Sequence, residues 1–414
     1  MRQLIKFFEI NHKKYLYNGE DFSLFEVDDE QACKEYLAED DEIISVNENK
    51  NEISKIVLNV SNKCNLRCQY CYAQNGNYGR TDALMSKETF HRIVEELVNK
   101  GIEKINIFSF FGGEPLLNFE LIEYALPILS TKFRVNNFEI VTNGTLFSED
   151  MVKILKEYHV SLSISIDGPE NITDQLRGKG VYKKALECIN ICKKYNYDQL
   201  CISATYTKLH EKMGYTYDDI CSFLERFHIR MTVSKVLTQN ENLKVENKLS
   251  KTLFRTDVQK TINNILAKKI NAQINHYVYS TFLSLFCSAK SITFCDDLIS
   301  ENSITYDYNG NKYNCFRLWG QKEFVLDNSD TNEKLIRLND KDKIDICSKC
   351  WARNMCKVCM IAIMQEVDSA PFSNNSCVDR DAYEIVLEEL IKEVQKGNHE
   401  ILANNFLKYF LTYQ

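Results

Sequence analysis

The sequence predicts an α/β protein: a partial (β/α)6 TIM-like barrel, with a short hairpin region before it and a cysteine-rich domain after it. Three observations carry this. Between Ile56 and Val236, short β-branched runs alternate six times with amphipathic helical stretches, the pattern of parallel strands joined by right-handed crossovers. Turn motifs follow the carboxyl ends of the first four runs, where such folds place their chemistry. Sixteen cysteines fall into a loop of three, a set of eight between Cys287 and Cys377, and five scattered positions.

In chain order, residues 3 to 27 read as two strands, IKFFEI and FSLFEVD, with KKYLYNGED between them and Asn18-Gly19 supplying a turn. A short polar helix, DEQACKEYLAED, follows, and the polar stretch from Asp40 to Lys55 marks a boundary. The barrel strands are expected at IVLNV (56–60), INIFSF (105–110), FEIVT (138–142), SLSISID (161–167), LCISATYT (200–207) and RMTVSKV (230–236). Helices such as KETFHRIVEELVNK, EDMVKILKEYH, YKKALECINICKKY and YDDICSFLERF lie between them, with apolar residues every three or four positions. Residues 238 to 280 are polar and helical in pattern and read as a bridge. DAYEIVLEELIKEVQKG is a further helix, expected to pack on the barrel. The domains expected are 1–50 (hairpin region), 51–240 (barrel), 241–285 (helical bridge), 286–380 (cysteine-rich domain) and 381–414 (C-terminal helix).

A chain of 414 residues, 44% hydrophobic and 26% charged, can bury a sizeable core. Its formal charge of -7 argues against a broad nucleic-acid surface. The opening residues carry a charge every few positions, so no signal-peptide core exists, and no run is long enough to span a bilayer. A cytoplasmic location without membrane or nucleic-acid partners is expected. In that reducing compartment sixteen cysteines point to metal or cluster ligation rather than to disulfides. The scattered Cys33, Cys188, Cys192, Cys201 and Cys221 read as small core residues.

The loop Cys64-Asn65-Leu66-Arg67-Cys68-Gln69-Tyr70-Cys71 spaces three thiols C-x3-C-x2-C directly after the first barrel strand. Three ligands are one short of a closed metal site and suit a [4Fe-4S] cluster with one iron open to a small molecule; a zinc knuckle is the alternative. One strand later, Gly112-Gly113-Glu114-Pro115 offers close backbone approach to a ligand. Thr142-Asn143-Gly144 and Asp167-Gly168-Pro169 follow on the next two strands. The cysteine loop, with Tyr70 before its third thiol, and the Gly-Gly-Glu-Pro turn together resemble the signature of the radical S-adenosylmethionine (SAM) enzymes. The resemblance implies a cluster on Cys64, Cys68 and Cys71 whose open iron is chelated by SAM. It also implies that Gly112, Gly113 and Glu114 hold the methionine ammonium, that Tyr70 lies by the adenine, and that Asn143 and Ser165 reach the ribose hydroxyls. Arg177 would serve a carboxylate of SAM or substrate, the alternative being an ion pair with Asp174.

The later set, Cys287, Cys295, Cys315, Cys347, Cys350, Cys356, Cys359 and Cys377, is enough for two four-ligand sites. It resembles the SPASM extension of peptide and cofactor maturases, which holds auxiliary [4Fe-4S] clusters. By that family's connectivity, Cys287, Cys295, Cys315 and Cys359 hold the nearer cluster and Cys347, Cys350, Cys356 and Cys377 the farther one. The gap from Cys356 to Cys359 is one residue shorter than the commonest pattern, and zinc is the alternative occupant.

The resemblance spans residues 56 to 378 and implies a radical SAM/SPASM maturase of a ribosomally made precursor peptide, with three [4Fe-4S] clusters, SAM, and an electron donor such as flavodoxin or ferredoxin. A cysteine thioether of the sactipeptide or ranthipeptide type is the expected product, since auxiliary clusters offer a site for a substrate thiolate and a sink for an electron. A carbon-carbon crosslink is next. A sulfatase-type formylglycine maturase is disfavoured because Phe316 and Arg317 follow Cys315, where those enzymes carry an aspartate base. Outside the class, the alternative is a non-catalytic multi-zinc protein. Residues 1–50 are short for a leader-binding winged-helix module, so leader recognition and a cap on the next domain stand side by side.

Overall fold

The computed structural model describes residues 4–27, 51–238, 240–245, 251–269, 272–291, 295, 303–326, 340–357, 359 and 377–410. The helix expected over DEQACKEYLAED lies outside them, as does Cys33. The chain divides into two compact units, one of Met1–Asn47, Asn247–Asp296 and Ile336–Gln414, the other of Glu48–Glu246 and Asp297–Leu335.

The first unit begins with three antiparallel strands in the order β1-β2-β3: β1 (Ile5–Ile10), β2 (Lys13–Asn18) and β3 (Leu24–Val27). Two strands were expected here. The segment taken as their connection, KKYLYN, is the central strand, because Asn11 and His12 adopt φ of 52° and 63° and close a two-residue hairpin between Ile10 and Lys13. Without a glycine that turn has little sequence signal.

The second unit is the parallel sheet, and every expected strand is present. β4 (Glu52–Asn62), β6 (Lys104–Gly112), β7 (Arg134–Thr142), β8 (Ser161–Ser165), β9 (Leu200–Tyr206) and β10 (Arg230–Lys235) stand in the order β10-β9-β8-β7-β6-β4, all parallel, and β5 (Ala83–Leu84) pairs antiparallel on β4. Helices α1 (Lys87–Asn99), α2 (Phe119–Lys132), α3 (Glu149–Glu157), α4 (Glu170–Arg177), α5 (Val181–Lys194), α6 (Lys208–Lys212) and α7 (Tyr217–Glu225) connect them. The spacing of Phe90, Ile93, Val94 and Leu97 buries one face of α1, and Ser86 caps its start by accepting from Thr89 N, worth about 1 kcal/mol. Ile56, Leu58, Phe108, Phe110, Ile140, Leu162, Ile164 and Ile202 fill the core. Cys188, Cys192 and Cys221 are buried in the same cluster, as read from sequence. β11 (Ser303–Tyr306), like the short β5, was not foreseen. It adds parallel to the outer side of β4, with Ile304 opposite Ile56, and β12 (Lys312–Tyr313) folds back on it. Four residues are too few to announce a strand by periodicity.

The rest of the first unit is helical: α8 (Lys251–Leu266), α9 (His276–Cys287), α10 (Asp345–Ser348), α11 (Val378–Gln395) and α12 (His399–Asn405). Val386 and Leu390 of α11 pack with Ile262, Phe282 and Phe406, while Tyr383, Leu387 and Ile391 pack with Phe8, Tyr15 and Tyr17 of the N-terminal sheet and with Trp351 and Met355. The hairpin region and the late cysteine segment thus share one apolar cluster. Among the described residues no helix is long and apolar enough to cross a membrane.

Candidate active site

The loop that follows β4 is drawn tight by its own backbone. Arg67 donates from one nitrogen to the carbonyls of Cys64 and Leu66, both at 2.8 Å, and Leu66 N donates to Cys64 Sγ at 3.4 Å. Gln69 is held to the end of α4 through Gln69 N on Leu176 O (2.9 Å) and Gln69 Nε2 on Gln175 O (2.6 Å). The chain then turns back through Gln74–Tyr78, where Gly76 sits at φ 92° against the first thiol. A Cβ at Gly76 would lie 2.3 Å from the Cβ of Cys64. Sequence reading missed this residue, although Asn75-Gly76 is a turn pair. Burial raises the thiol pKa of Cys64 and pushes that of Cys68 up to about 11, the Arg177 charge opposing it at Cys68. Such thiols are neutral until a metal supplies the charge that ionises them, and three of them on one loop fit a cluster with an open iron.

Gly112 and Gly113 are needed for a closer reason than ligand approach. A Cβ on Gly112 would stand 2.3 Å from Ser61 O, and one on Gly113 would stand 2.4 Å from Lys63 O and 2.5 Å from Gly76 O. The two glycines let the end of β6 lie directly against the cysteine loop. Glu114, 1% exposed, accepts from Thr142 Oγ1 (2.6 Å), Asn143 N (2.8 Å) and Leu116 N (3.1 Å). Burial nevertheless raises its pKa from 4.5 to about 7, against those hydrogen bonds. Asn143 Nδ2 donates to Asn65 Oδ1 at 2.9 Å, and Asn65 Nδ2 donates to Thr145 Oγ1 at 2.8 Å, so the third strand end is laced to the cysteine loop. Ser165 ends β8, nearly buried.

Asp167 is the hub that sequence reading did not single out. Its carboxylate accepts from Arg177 Nε (2.8 Å) and NH2 (2.9 Å), from the Tyr70 hydroxyl (2.7 Å) and from Thr205 N (2.9 Å). The Arg177 guanidinium also lies over the Tyr70 ring, 5.4 Å from its centre. The pairing of Arg177 with Asp174 is not made; Asp174 instead accepts from Gly180 N and Tyr182 N after α4. His210, fully buried, donates from Nε2 to Asp167 O (2.9 Å) while Nδ1 accepts from Thr207 N (3.0 Å), and burial lowers its pKa, so it stays neutral.

Beyond Cys315, Phe316 stacks 5.0 Å from Phe111 and 6.1 Å from Tyr72, and the Arg317 guanidinium lies 4.7 Å over Tyr72. These positions present aromatic surface and a cation next to the cysteine loop, with no carboxylate.

In the first unit, Cys347, Cys350, Cys356 and Cys377 line one pocket together with Lys341, Arg353, Arg380 and Tyr383. Burial raises all four thiol pKa values, that of Cys347 to about 12. Cys377 stands at the N-terminus of α11, where the nearby backbone of Arg380 and Asp379 opposes the burial that raises its pKa. Among the described residues the buried Arg353 Nε and the Tyr17 hydroxyl have no hydrogen-bond partner, and Tyr17 is close enough to Cys350 for their charges to interact. Four thiols beside unused donors fit an anionic cluster. Among the described residues no three Cys, His, Asp or Glu converge tightly enough to hold a single ion. Of the other set, Cys287 and Cys359 are exposed and Cys295 and Cys315 half-buried; Cys315 belongs to the second unit and the other three to the first.

Residues 58–227 match the radical SAM superfamily. The radical SAM cyclopropyl synthase TigE of Paramaledivibacter caminithermalis is 28% identical over 192 residues, covering 43% of this chain and 40% of that protein. A cysteine-type anaerobic sulfatase-maturating enzyme of Clostridium perfringens is 29% identical over 180 residues, covering 40% of this chain and 48% of its own. The solved structure described as native anSMEcpe with bound AdoMet and Cp18Cys peptide superposes with a TM-score of 0.66 at 18% identity, over 83% of this chain and 99% of that one. The alignments span about half or less of the length of the curated relatives. The fold is that of the radical SAM enzymes, a mostly parallel sheet with helices in partial-barrel order.

Proposed function

We propose that this chain, which carries a radical SAM domain over residues 58–227, is a maturase that installs a crosslink in a ribosomally made peptide. The observation that carries the reading is the convergence of the three-thiol loop, the Gly-Gly-Glu turn and the Asp167 hub on one end of the parallel sheet. When bound, the cluster and SAM supply a 5′-deoxyadenosyl radical that removes a hydrogen atom from a substrate carbon.

The protein's part is position and shielding. Cys64, Cys68 and Cys71 hold the cluster, and Gly76 keeps Cys64 in place by packing without a side chain. Glu114, in its ionised form, takes the methionine ammonium, with Gly112 and Gly113 bringing that turn against the loop. Asn143 and Ser165 would reach the ribose hydroxyls. Tyr70 borders the adenine with its ring fixed by Asp167 and Arg177. Arg177 gives two nitrogens to Asp167, and its third would serve a carboxylate of SAM or substrate.

A peptide substrate is supported by the matched structure, which holds one, and by the relative named as a maturating enzyme. A second, four-thiol pocket supports an auxiliary cluster; the cluster of Cys287, Cys295, Cys315 and Cys359 rests on the resemblance alone. Phe316 and Arg317 favour a thioether over formylglycine, because no carboxylate base follows Cys315. The electron donor would be a flavodoxin or ferredoxin, in the cytoplasm.

The test incubates anaerobically reconstituted protein, SAM and dithionite with each short cysteine-containing peptide that a search of the neighbouring genes turns up. A thioether makes the peptide about 2 Da lighter, through loss of two hydrogens, and protects the cysteine from alkylation. A lighter peptide whose cysteine alkylates freely replaces the thioether with a carbon-carbon bond. Loss of the cysteine sulfur replaces it with formylglycine. Absence of 5′-deoxyadenosine removes the enzymatic reading altogether.

A further inference from the structure

Lys341 is 1% exposed. Burying an ammonium without compensation is costly, so its surroundings are informative. Nζ donates to the backbone carbonyls of Ser291, Arg353 and Cys356, each at 2.6 Å. These acceptors come from two stretches of chain, Ser291 on one and Arg353 and Cys356 on the other, so one ammonium ties the two together. The carbonyl dipoles fix its position but carry no net charge. The same residue lines the pocket of Cys347, Cys350, Cys356 and Cys377, and Arg353 and Arg380 line it beside Lys341.

Cations and carboxylates both act on this pocket, Asp340 and Glu20 on Arg353 among the latter. Arg353 is paired with Asp342 at 2.8 Å, and Asp379 acts on Cys347, Cys356 and Cys377 with the opposite sign. Burial dominates at each thiol, but the Lys341 charge works against it at Cys347, Cys350 and Cys356. Lys341, Arg353 and Arg380 line a site whose four ligands become anionic on binding metal. Arg353 Nε, buried and unpartnered among the described residues, is a further donor lining the same pocket.

We propose that Lys341, with Arg353 and Arg380 beside it, forms a cationic collar that raises the reduction potential of the cluster held by Cys347, Cys350, Cys356 and Cys377. This rests on the reading above that those thiols hold a [4Fe-4S] cluster. Taking up one electron adds one negative charge to the cluster, so a fixed cation stabilises the reduced form more than the oxidised one. The collar thereby favours the cluster as acceptor in crosslinking. One hydrogen atom of the substrate goes to 5′-deoxyadenosine and the thiol proton goes to solvent. The carbon-sulfur bond forms, and the one electron left over passes to the cluster. Lys341 is a positioning residue here, acting on the cluster and not on the peptide.

The experiment is a redox titration followed by electron paramagnetic resonance, in a Cys64→Ala/Cys68→Ala/Cys71→Ala background that leaves only auxiliary signals. Lys341→Met is expected to move one auxiliary midpoint to a more negative potential, and Lys341→Arg, which keeps the charge, to leave it close to the parent. An unchanged midpoint in folded, iron-replete Lys341→Met overturns the proposal. If Lys341→Met does not fold, by circular dichroism and iron content, Arg380→Gln is titrated in its place: a more negative midpoint supports the collar and an unchanged one overturns it. The cluster reading is tested separately in the same background, where Cys347→Ala/Cys350→Ala should remove about four irons per chain. Full iron there defeats that reading whatever Lys341 does.

Discussion

Arg177 forks onto Asp167, Nε to Oδ2 at 2.8 Å and NH2 to Oδ1 at 2.9 Å, with both side chains buried. The same carboxylate holds the Tyr70 hydroxyl, so the pair locks the cysteine loop to the end of the fourth barrel strand. Removing one partner of a buried pair leaves an uncompensated charge. Asp167→Asn should therefore cost about 3–5 kcal/mol in urea unfolding of the apo chain. It should also weaken SAM binding, because Tyr70 and Arg177 lose their anchor. A cost under about 1 kcal/mol, the range of an exposed pair, would contradict the hub.

Glu114 makes stability depend on pH in a stated direction. Its carboxyl pKa rises from 4.5 to about 7 on folding, burial being the cause. The folded state therefore binds a proton more tightly than the unfolded one. The stability this contributes is full below about pH 4.5 and is lost as pH rises through about 7. The whole swing is about 3 kcal/mol. Glu114→Gln should flatten that part of the curve, measured as the difference in urea midpoint between the two proteins from pH 5 to pH 8. A constant difference would show that the carboxyl is not shifted.

Gly76→Ala tests the packing of the loop. The substitution puts a methyl 2.3 Å from the Cys64 Cβ at a φ of 92°, and that backbone conformation alone costs about 1–3 kcal/mol with a side chain. The variant should lose iron from the loop cluster and with it SAM cleavage, read by iron per chain and 5′-deoxyadenosine yield. Unchanged values would mean that the turn yields without disturbing Cys64.

What was legible in the sequence follows the physics of each signal. The six parallel strands were readable because short runs rich in β-branched and aromatic residues, such as IVLNV and INIFSF, alternate with amphipathic helical stretches. The cysteine loop and Gly112-Gly113-Glu114 were readable because spacing and glycine are local signals, and the structure does set them side by side. Asp167 was passed over as part of a turn motif, since its partners Tyr70, Arg177 and Thr205 come from three other segments and only the fold unites them. The central strand KKYLYN was hidden by a hairpin turn without glycine, and β11 by its length. Lys341 was invisible for the opposite reason: lysine in a polar stretch reads as surface until burial is known.

The two thiol sets should separate in function. Cys347→Ala/Cys350→Ala, in the otherwise unaltered chain, should lose iron and crosslinked product while SAM cleavage persists, because these thiols line a pocket in the other unit from the cysteine loop. Loss of SAM cleavage in folded protein would show that the farther site is needed for radical formation.

The most direct measurement follows hydrogen from substrate to cofactor. A cysteine-containing peptide that the protein crosslinks, fully deuterated on carbon, is incubated with reconstituted protein, SAM and dithionite, and the 5′-deoxyadenosine is weighed by mass spectrometry. The account predicts 5′-deoxyadenosine about 1 Da heavier than with unlabelled peptide, and none at all from Cys64→Ala/Cys68→Ala/Cys71→Ala protein. Unlabelled 5′-deoxyadenosine alongside crosslinked peptide, or undiminished yield from the triple variant, would contradict it.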